Sequence, residues 1–307
     1  IVAVGPDRVS RSTDGGSTWN SSVLPWAGGS GVSFATGTTG ARVGWSGVSR
    51  TTDAGATWTN LGILAHWLQS VSFGSADTGI AVGLKGGIYR TTDGGAVWTL
   101  MSQGTTAGFR GIDFATPTFG MAAGDVRDIP KANEDRIVRT TNGGTTWQRL
   151  TVDSTMNINI EFWDIAYPQP DTAIVVGVDQ VACCGDTGAV IYRTTNGGTT
   201  WTNPLTAGYP RLEGVSFTNG RHGTAVGWSG TILRTTDGGA TWSPQASGTT
   251  ADLYGICFVN DTTATVVGDG IILKTTNAGT SWTSQTADVP LSKVSFANEN
   301  VGIALGY

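Results

Sequence analysis

Short runs of alternating apolar and polar residues recur along this chain, each bounded by Gly, Asn or Asp, and no stretch keeps a helical period. Such alternation predicts half-buried β-strands joined by tight hairpins. One apolar piece reads "VSF" at 32, 71, 215 and 294, "IDF" at 112, "IAY" at 165 and "ICF" at 256. Ten residues after its aromatic, a glycine closes a second apolar run, as from Phe34 to Gly44 and from Phe296 to Gly306. A third run of the "ILRTT" type and a fourth of the "TWT" type complete the unit. Each unit therefore predicts four short strands in about 40 residues, the period of a repeat architecture.

The third and fourth runs are joined by a box that occurs seven times. It reads "RSTDGGSTW" from Arg11, "RTTDAGATW" from Arg50 and "RTTDGGAVW" from Arg90. It returns as "RTTNGGTTW" from Arg139 and from Arg193, "RTTDGGATW" from Arg234 and "KTTNAGTSW" from Lys274. The basic residue always lies eight positions before the Trp. An Asp or Asn followed by two small residues suits a tight turn, because its side chain accepts nearby backbone N–H groups and Gly supplies the backbone angles. The Thr hydroxyls hold the same turn, and the Trp is expected to fold back and bury its ring. The box is a hairpin staple before it is anything else.

Composition fits a turn-dense all-β chain: 46 of the 307 residues are Gly and 13% are charged. The expected fold is a seven-bladed β-propeller of four-stranded antiparallel blades, one domain over residues 1–307, since radial repetition accommodates this length in one body. A net charge of −5 argues against a nucleic-acid partner, which asks for a basic face. No apolar run reaches membrane-spanning length, which leaves only peripheral membrane association. Cys257 sits in an inner strand and is expected to be buried. Cys183 and Cys184 are adjacent, and a strained vicinal disulfide, two free thiols and pairing with another chain all remain open. With two His and no CxxC, no zinc-type site and no cofactor is expected.

The box, S/T-x-D/N-x-G-x-T/S-W, is the Asp-box of sialidases, sortilin-type receptors, two-propeller xyloglucanases and related propellers. The longer unit "VGWSGTILRTTDGGATW" at 226–242 resembles the photosystem II stability/assembly factor family. That resemblance implies a seven-bladed propeller working outside the cytoplasm (periplasm, thylakoid lumen, or secreted) as a non-catalytic module that docks a protein partner within a larger complex. In that family an Arg-rich patch is implicated in partner binding.

Loop lengths locate the variable face. From the closing glycine to the box basic residue the gap is six or seven in five units, but 15 from Gly124 to Arg139 and 16 from Gly177 to Arg193. From the box Trp to the next inner aromatic it is 14 to 16, except for 20 between Trp147 and Tyr167. Both connections emerge on one face of a propeller, opposite the boxes, and such a face is often the binding face. Three insertions are thus expected to cluster: 125–137, 151–163 and 178–190. The candidate protein-binding residues there are Arg127, Asp128, Lys131, Glu134, Asp135, Arg136, Glu161, Trp163, Asp179 and Gln180. Trp26 and Trp67 fall in crossings on the same face, and Trp45 and Trp228 in the "GWSG" turns are a candidate glycan platform, the alternative being packing between loops. The seven box basics (Arg11, Arg50, Arg90, Arg139, Arg193, Arg234, Lys274) could ring an acidic partner, or satisfy local carbonyls and cover the Trp with their stems.

Enzyme chemistry finds little support. A sialidase needs an arginine cluster, a Tyr–Glu nucleophile pair and usually an Arg-Ile-Pro segment; this chain lacks the tripeptide and has four Glu. A glycosidase needs two facing carboxylates, and among Asp125, Asp128, Glu161 and Asp179 no spacing selects a pair. The reading is therefore a non-enzyme, with a carbohydrate-active propeller, lectin or hydrolase, as the alternative. Closure is expected from a composite blade: Lys293–Phe296 innermost, "GIALG" (302–306) second, and 9–13 and 18–23 outermost. "IVAVG" at 1–5 is then displaced, or belongs to a longer parent chain.

Overall fold

The computed structural model describes residues 7–25, 28–62, 65–101, 107–125, 136–150, 160–180, 188–205 and 208–306, with Asp7 and Asp125 as backbone only. Seven antiparallel sheets form seven blades. The first blade runs Gly29–Phe34, Gly40–Gly44, Gly47–Thr51 and Thr59–Asn60 from innermost to outermost strand. Five further blades start at Leu68, Gly108, Ile160, Leu212 and Leu253. In the fourth, the outermost strand is reduced to a single bridge between Arg193 and Thr202.

Chain closure follows the composite scheme. Leu291–Phe296 is innermost, Gly302–Gly306 is second, and Asp7–Ser12 and Asn20–Leu24 complete the sheet. Arg8 pairs with Gly306 and Ser12 with Gly302, so the exposed edges of both chain ends are consumed against each other. "IVAVG" lies outside the described residues.

The second strand is buried along its whole length at Gly40–Gly44, Gly79–Gly83 and Gly223–Gly227, and in the fourth blade up to Gly177. It is covered on both faces, which is why it reads as an apolar run. The core is accordingly divided into layers between blades. Ile80, Val82 and Ile88 of the second blade meet Phe109, Ile112 and Ala122 of the third, and equivalent clusters recur around the ring.

The box forms the hairpin expected of it. In the fifth blade Thr235 Oγ1 accepts from Gly239 N at 2.9 Å and donates to Asp237 Oδ1 at 2.8 Å. Asp237 in turn accepts from the Thr241 amide and hydroxyl at 2.9 and 2.6 Å. Those bonds hold the carboxyl of Asp237 below its ordinary range against a desolvation that acts the other way. Gly238 and Gly239 take φ of 70° and 80°, and Trp242 Nε1 closes the turn on Gly239 O at 3.2 Å. The rings are less deeply buried than expected: Trp201 is 8% exposed, while the other six box tryptophans are half-buried, one face against the neighbouring blade.

Candidate functional site

The basic residues of the boxes clasp the next blade. Arg11 Nε donates to Ala54 O at 3.0 Å, Arg50 Nε to Gly94 O at 2.8 Å and Arg90 Nε to Gly143 O at 2.7 Å. Arg139 Nη1 reaches Gly197 O and Arg193 Nε reaches Gly238 O. The Arg234 stem lies 3.8 Å from where a Cβ on Gly279 would sit, and Lys274 Nζ donates to Ser17 Oγ at 2.7 Å, completing the circle. The carbonyls they satisfy are those of the neighbouring blade's turn, so this ring first of all ties blade to blade.

At the opposite end the innermost strands open into a central channel, and the same irregularity is built into each. Pairing with the second strand shifts by one residue between Gly29 and Gly31, Leu68 and Ser70, Phe109 and Gly111, and Phe162 and Asp164. It does so again at Leu212/Gly214, Leu253/Gly255 and Leu291/Lys293. A β-bulge leaves one residue unpaired and re-aims it. Here the seven extra residues are Ser30, Gln69, Arg110, Trp163, Glu213, Tyr254 and Ser292, and with Lys293 they line one cavity of about 100 Å³ at the channel mouth.

This bulge explains the repeated Val-Gly glycine. A Cβ on Gly44 would meet Gly28 O at 1.5 Å, one on Gly124 would meet Gly108 O at 1.8 Å, and one on Gly227 would meet Arg211 O at 2.0 Å. The carbonyl just before the bulge occupies the space of a side chain, so the second strand has to end in glycine.

Charge at the mouth is concentrated on one side. Arg110 Cζ lies 4.0 Å and Arg211 Cζ 3.7 Å from the centroid of Trp163, within cation–π range. Arg211 pairs with Glu213 at 2.6 Å and also lies 4.9 Å from the Trp228 ring, whose Nε1 donates to Glu213 Oε1 at 3.0 Å. Burial raises the Glu213 carboxyl, with Arg211 and Lys293 opposing. Lys293 of the closing blade crosses the lumen to within 3.7 Å of Asp164 Oδ2 in the fourth blade. Asp164 also accepts the amides of Ile165 and Val215 at 3.0 and 3.1 Å. Deeper in, Asp113 accepts from Phe114 N, Tyr167 N and Ser72 Oγ. Enclosure by the inner strands, aided by the nearby Asp164 charge, pushes its carboxyl up to about 7. In the same layer Cys257 is a free thiol raised to about 11 by burial.

Several expected site residues stand elsewhere than anticipated. The stretch 151–163 is not loop to its end: Ile160–Gln169 is the fourth blade's innermost strand. Trp163 is therefore a half-buried channel residue under two guanidinium groups, and Glu161 is buried. The neighbouring insertions likewise begin and end in strand, at Asp125 and Ile137 and at Asp179 and Ala189. Arg136 is buried, and it and Asp179 both act on the Tyr192 hydroxyl, which burial raises. Gln180 is exposed. Arg127, Asp128, Lys131, Glu134, Asp135, Trp26, Cys183 and Cys184 lie outside the described residues. Trp45 and Trp228 lie in the first and fifth blades, and for Trp45 the structure shows packing between neighbouring loops. Trp45 stacks on Trp67, with centroids 4.0 Å apart and planes at 12°.

Arg110, Arg211, Glu213, Tyr254, Asp164 and Lys293 were not singled out by sequence. The signal for the bulge was present: four residues before each inner aromatic, one position changes from Ser to Gln, Arg, Trp, Glu and Tyr, with Gly, Leu or Phe before it and, in five of the seven units, Gly or Ser after it.

Fold and channel define the class: a seven-bladed β-propeller of four-stranded antiparallel blades, closed by a composite blade. Within that class the chain resembles photosystem II assembly factors. Residues 210–294 match the family described as Photosynthesis system II assembly factor YCF48. A structure of YCF48 bound to D1 peptide superposes with a TM-score of 0.68 at 17% identity, over 92% of this chain and 95% of that one. YCF48 from Cyanidioschyzon merolae gives 0.67 at 19% identity, over 92% and 94%. The GH74 xyloglucanase from Xanthomonas campestris also superposes, at 0.64 and 13% identity, over 86% of this chain and 48% of that one. No curated protein matches by sequence.

Among the described residues, no helix is long and apolar enough to cross a membrane, and no group of three or more His, Cys, Asp or Glu is placed to hold a metal ion.

Proposed function

We propose that this propeller is a non-catalytic assembly module that docks a segment of a partner protein at its channel mouth, outside the cytoplasm, within a larger complex. The observation that carries this reading is the convergence of Arg110 and Arg211 on Trp163 at the mouth of the channel. Arg and Trp are the residues that most often anchor protein interfaces. The carboxylates nearby are engaged: Glu213 is held by Arg211 and Trp228, and Asp164 by two amides and Lys293. Similarity to a YCF48 seen with a peptide of D1 supports a peptide-like occupant.

The test is cross-linking mass spectrometry on the tagged chain purified with its partner from the native host. Cross-links are expected to map to the channel mouth and to 125–137. Arg110→Ala, or shortening 125–137 to the length of the "GWSG" turn, should reduce co-purification while leaving the melting temperature close to the parent. Cross-links confined to the box face would sink the proposal.

A further inference from the structure

The mouth is chemically two-sided. Its charged half is built from the third to fifth blades and the closing blade; the first and second blades contribute Ser30 and Gln69. Among the described residues, those that reach this face in the two blades are 24–25, 28–30, 45–46, 61–62, 65–70, 84–87, 101 and 107–108, and besides His66 they contain one ionisable residue, Lys85. On this charge-poor side stand the stacked Trp45 and Trp67, 41% and 47% exposed.

The pair is held from behind. The Trp45 amide donates to Gly28 O at 3.0 Å, and Gly28 packs so closely on the root of that side chain that a Cβ there would lie 3.0 Å from Trp45 Cβ. Trp67 is fixed by its carbonyl, which accepts from Leu84 N at 2.9 Å. Each indole thus spends one face on the other, and the Trp45 root is covered. What remains is a flat, electron-rich indole face on Trp67, fixed in place before any ligand arrives. The same stretch of chain carries His66, whose Nδ1 is 2.9 Å from the Tyr89 hydroxyl, and Gln69, which with Ser30 supplies the uncharged hydrogen-bonding groups at the edge of the mouth cavity.

From this geometry we infer that Trp67, backed by Trp45, is the stacking platform of a second binding site, for a neutral glycan. The axial C–H face of a pyranose ring is apolar and weakly positive and lies flat against an indole, while its hydroxyls take neutral polar partners. A protein hot spot is instead enriched in Arg beside its aromatics, as on the other half of this mouth. An uncharged ligand is the complement of a nearly uncharged half-face. The Trp45–Trp67 stack shares no residue with the Arg110–Trp163–Arg211 cluster, although Ser30 and Gln69 line the same cavity as Arg110 and Trp163, so the two are tested by separate substitutions.

The experiment titrates the intact chain with cellohexaose, mannohexaose and chitohexaose, followed by calorimetry and intrinsic tryptophan fluorescence. Binding of at least one is expected. Trp67→Ala should weaken it at least about tenfold, Trp67→Phe less, and Lys85→Ala not at all. Arg110→Ala should leave saccharide binding unchanged. The inference is overturned if the parent binds none of the three, or if Trp67→Ala binds as tightly as the parent. It is equally overturned if Trp67→Ala abolishes capture of a protein partner while no saccharide binds.

Discussion

Replacing Gly227 with alanine should damage the channel mouth from behind. The new Cβ would lie 2.0 Å from Arg211 O, about 1.4 Å short of the 3.4 Å at which ordinary contact begins, and 2.9 Å from Leu212 Cα. Both obstacles are backbone, so no rotamer change relieves them. The Arg211–Leu212 segment has to move, and Arg211 O also accepts the Trp228 amide at 2.9 Å. Overpacking of this kind plus one weakened hydrogen bond costs about 2–4 kcal/mol. Displacement would also draw Arg211 away from Trp163 and Glu213. The control is Gly37→Ala, where the nearest atom to a new Cβ is 3.8 Å away, and which should change stability by less than about 0.5 kcal/mol. Urea midpoints give the energies, and near-ultraviolet circular dichroism follows the Trp163 and Trp228 environment. If the two variants unfold at the same urea concentration, the close approach does not dictate the glycine and the argument fails.

Two further outcomes follow from the same geometry. Trp201→Ala removes a buried ring whose Nε1 donates to Gly198 O at 3.1 Å, and should cost about 3–5 kcal/mol; a melting temperature within a degree of the parent would show the ring is not held. Asp113, raised to about 7, binds its proton more tightly folded than unfolded, so its contribution is fully present below the ordinary Asp range near pH 4 and is lost as pH rises through 7. Unfolding free energy measured from pH 4 to 8 should fall more steeply for the parent than for Asp113→Asn, and equal slopes would refute the assignment. The box acids Asp14 and Asp237, held low by their hydroxyl and amide partners, act in a separate window below pH 4 and in the opposite sense, losing stability as pH falls.

What the sequence revealed and what it hid have one physical cause. A propeller repeats the same packing problem in every blade, so whatever solves it recurs: the box, the second strand buried on both faces, the glycine ten residues after the inner aromatic. Even the closing strand was legible, because Gly302–Gly306 keeps the hairpin spacing to Leu291–Phe296 that every other unit has. Function resides where the blades depart from one another, and there repetition gives no guidance. Long insertions drew attention to 151–163, yet its last four residues are strand and Trp163 works inside the channel. The box basic residues, six Arg and one Lys, could be read either as a ring for an acidic partner or as satisfying local carbonyls, and five of the arginines donate to carbonyls of the next blade's turn. Trp45 was paired by sequence likeness with Trp228, which occupies the same place in another blade. Its true partner is Trp67, in a different part of the repeat and brought alongside by the ring. Equivalence in a repeat puts residues at equal radius and height but in separate blades. Contact between blades joins positions that are not equivalent, and a binding surface on a propeller is made of such contacts. The residue four before each inner aromatic is the exception worth reading first: the bulge turns it into the lumen in every blade, so seven side chains of six kinds share one cavity. Its variability singles out this end of the channel without any loop being long.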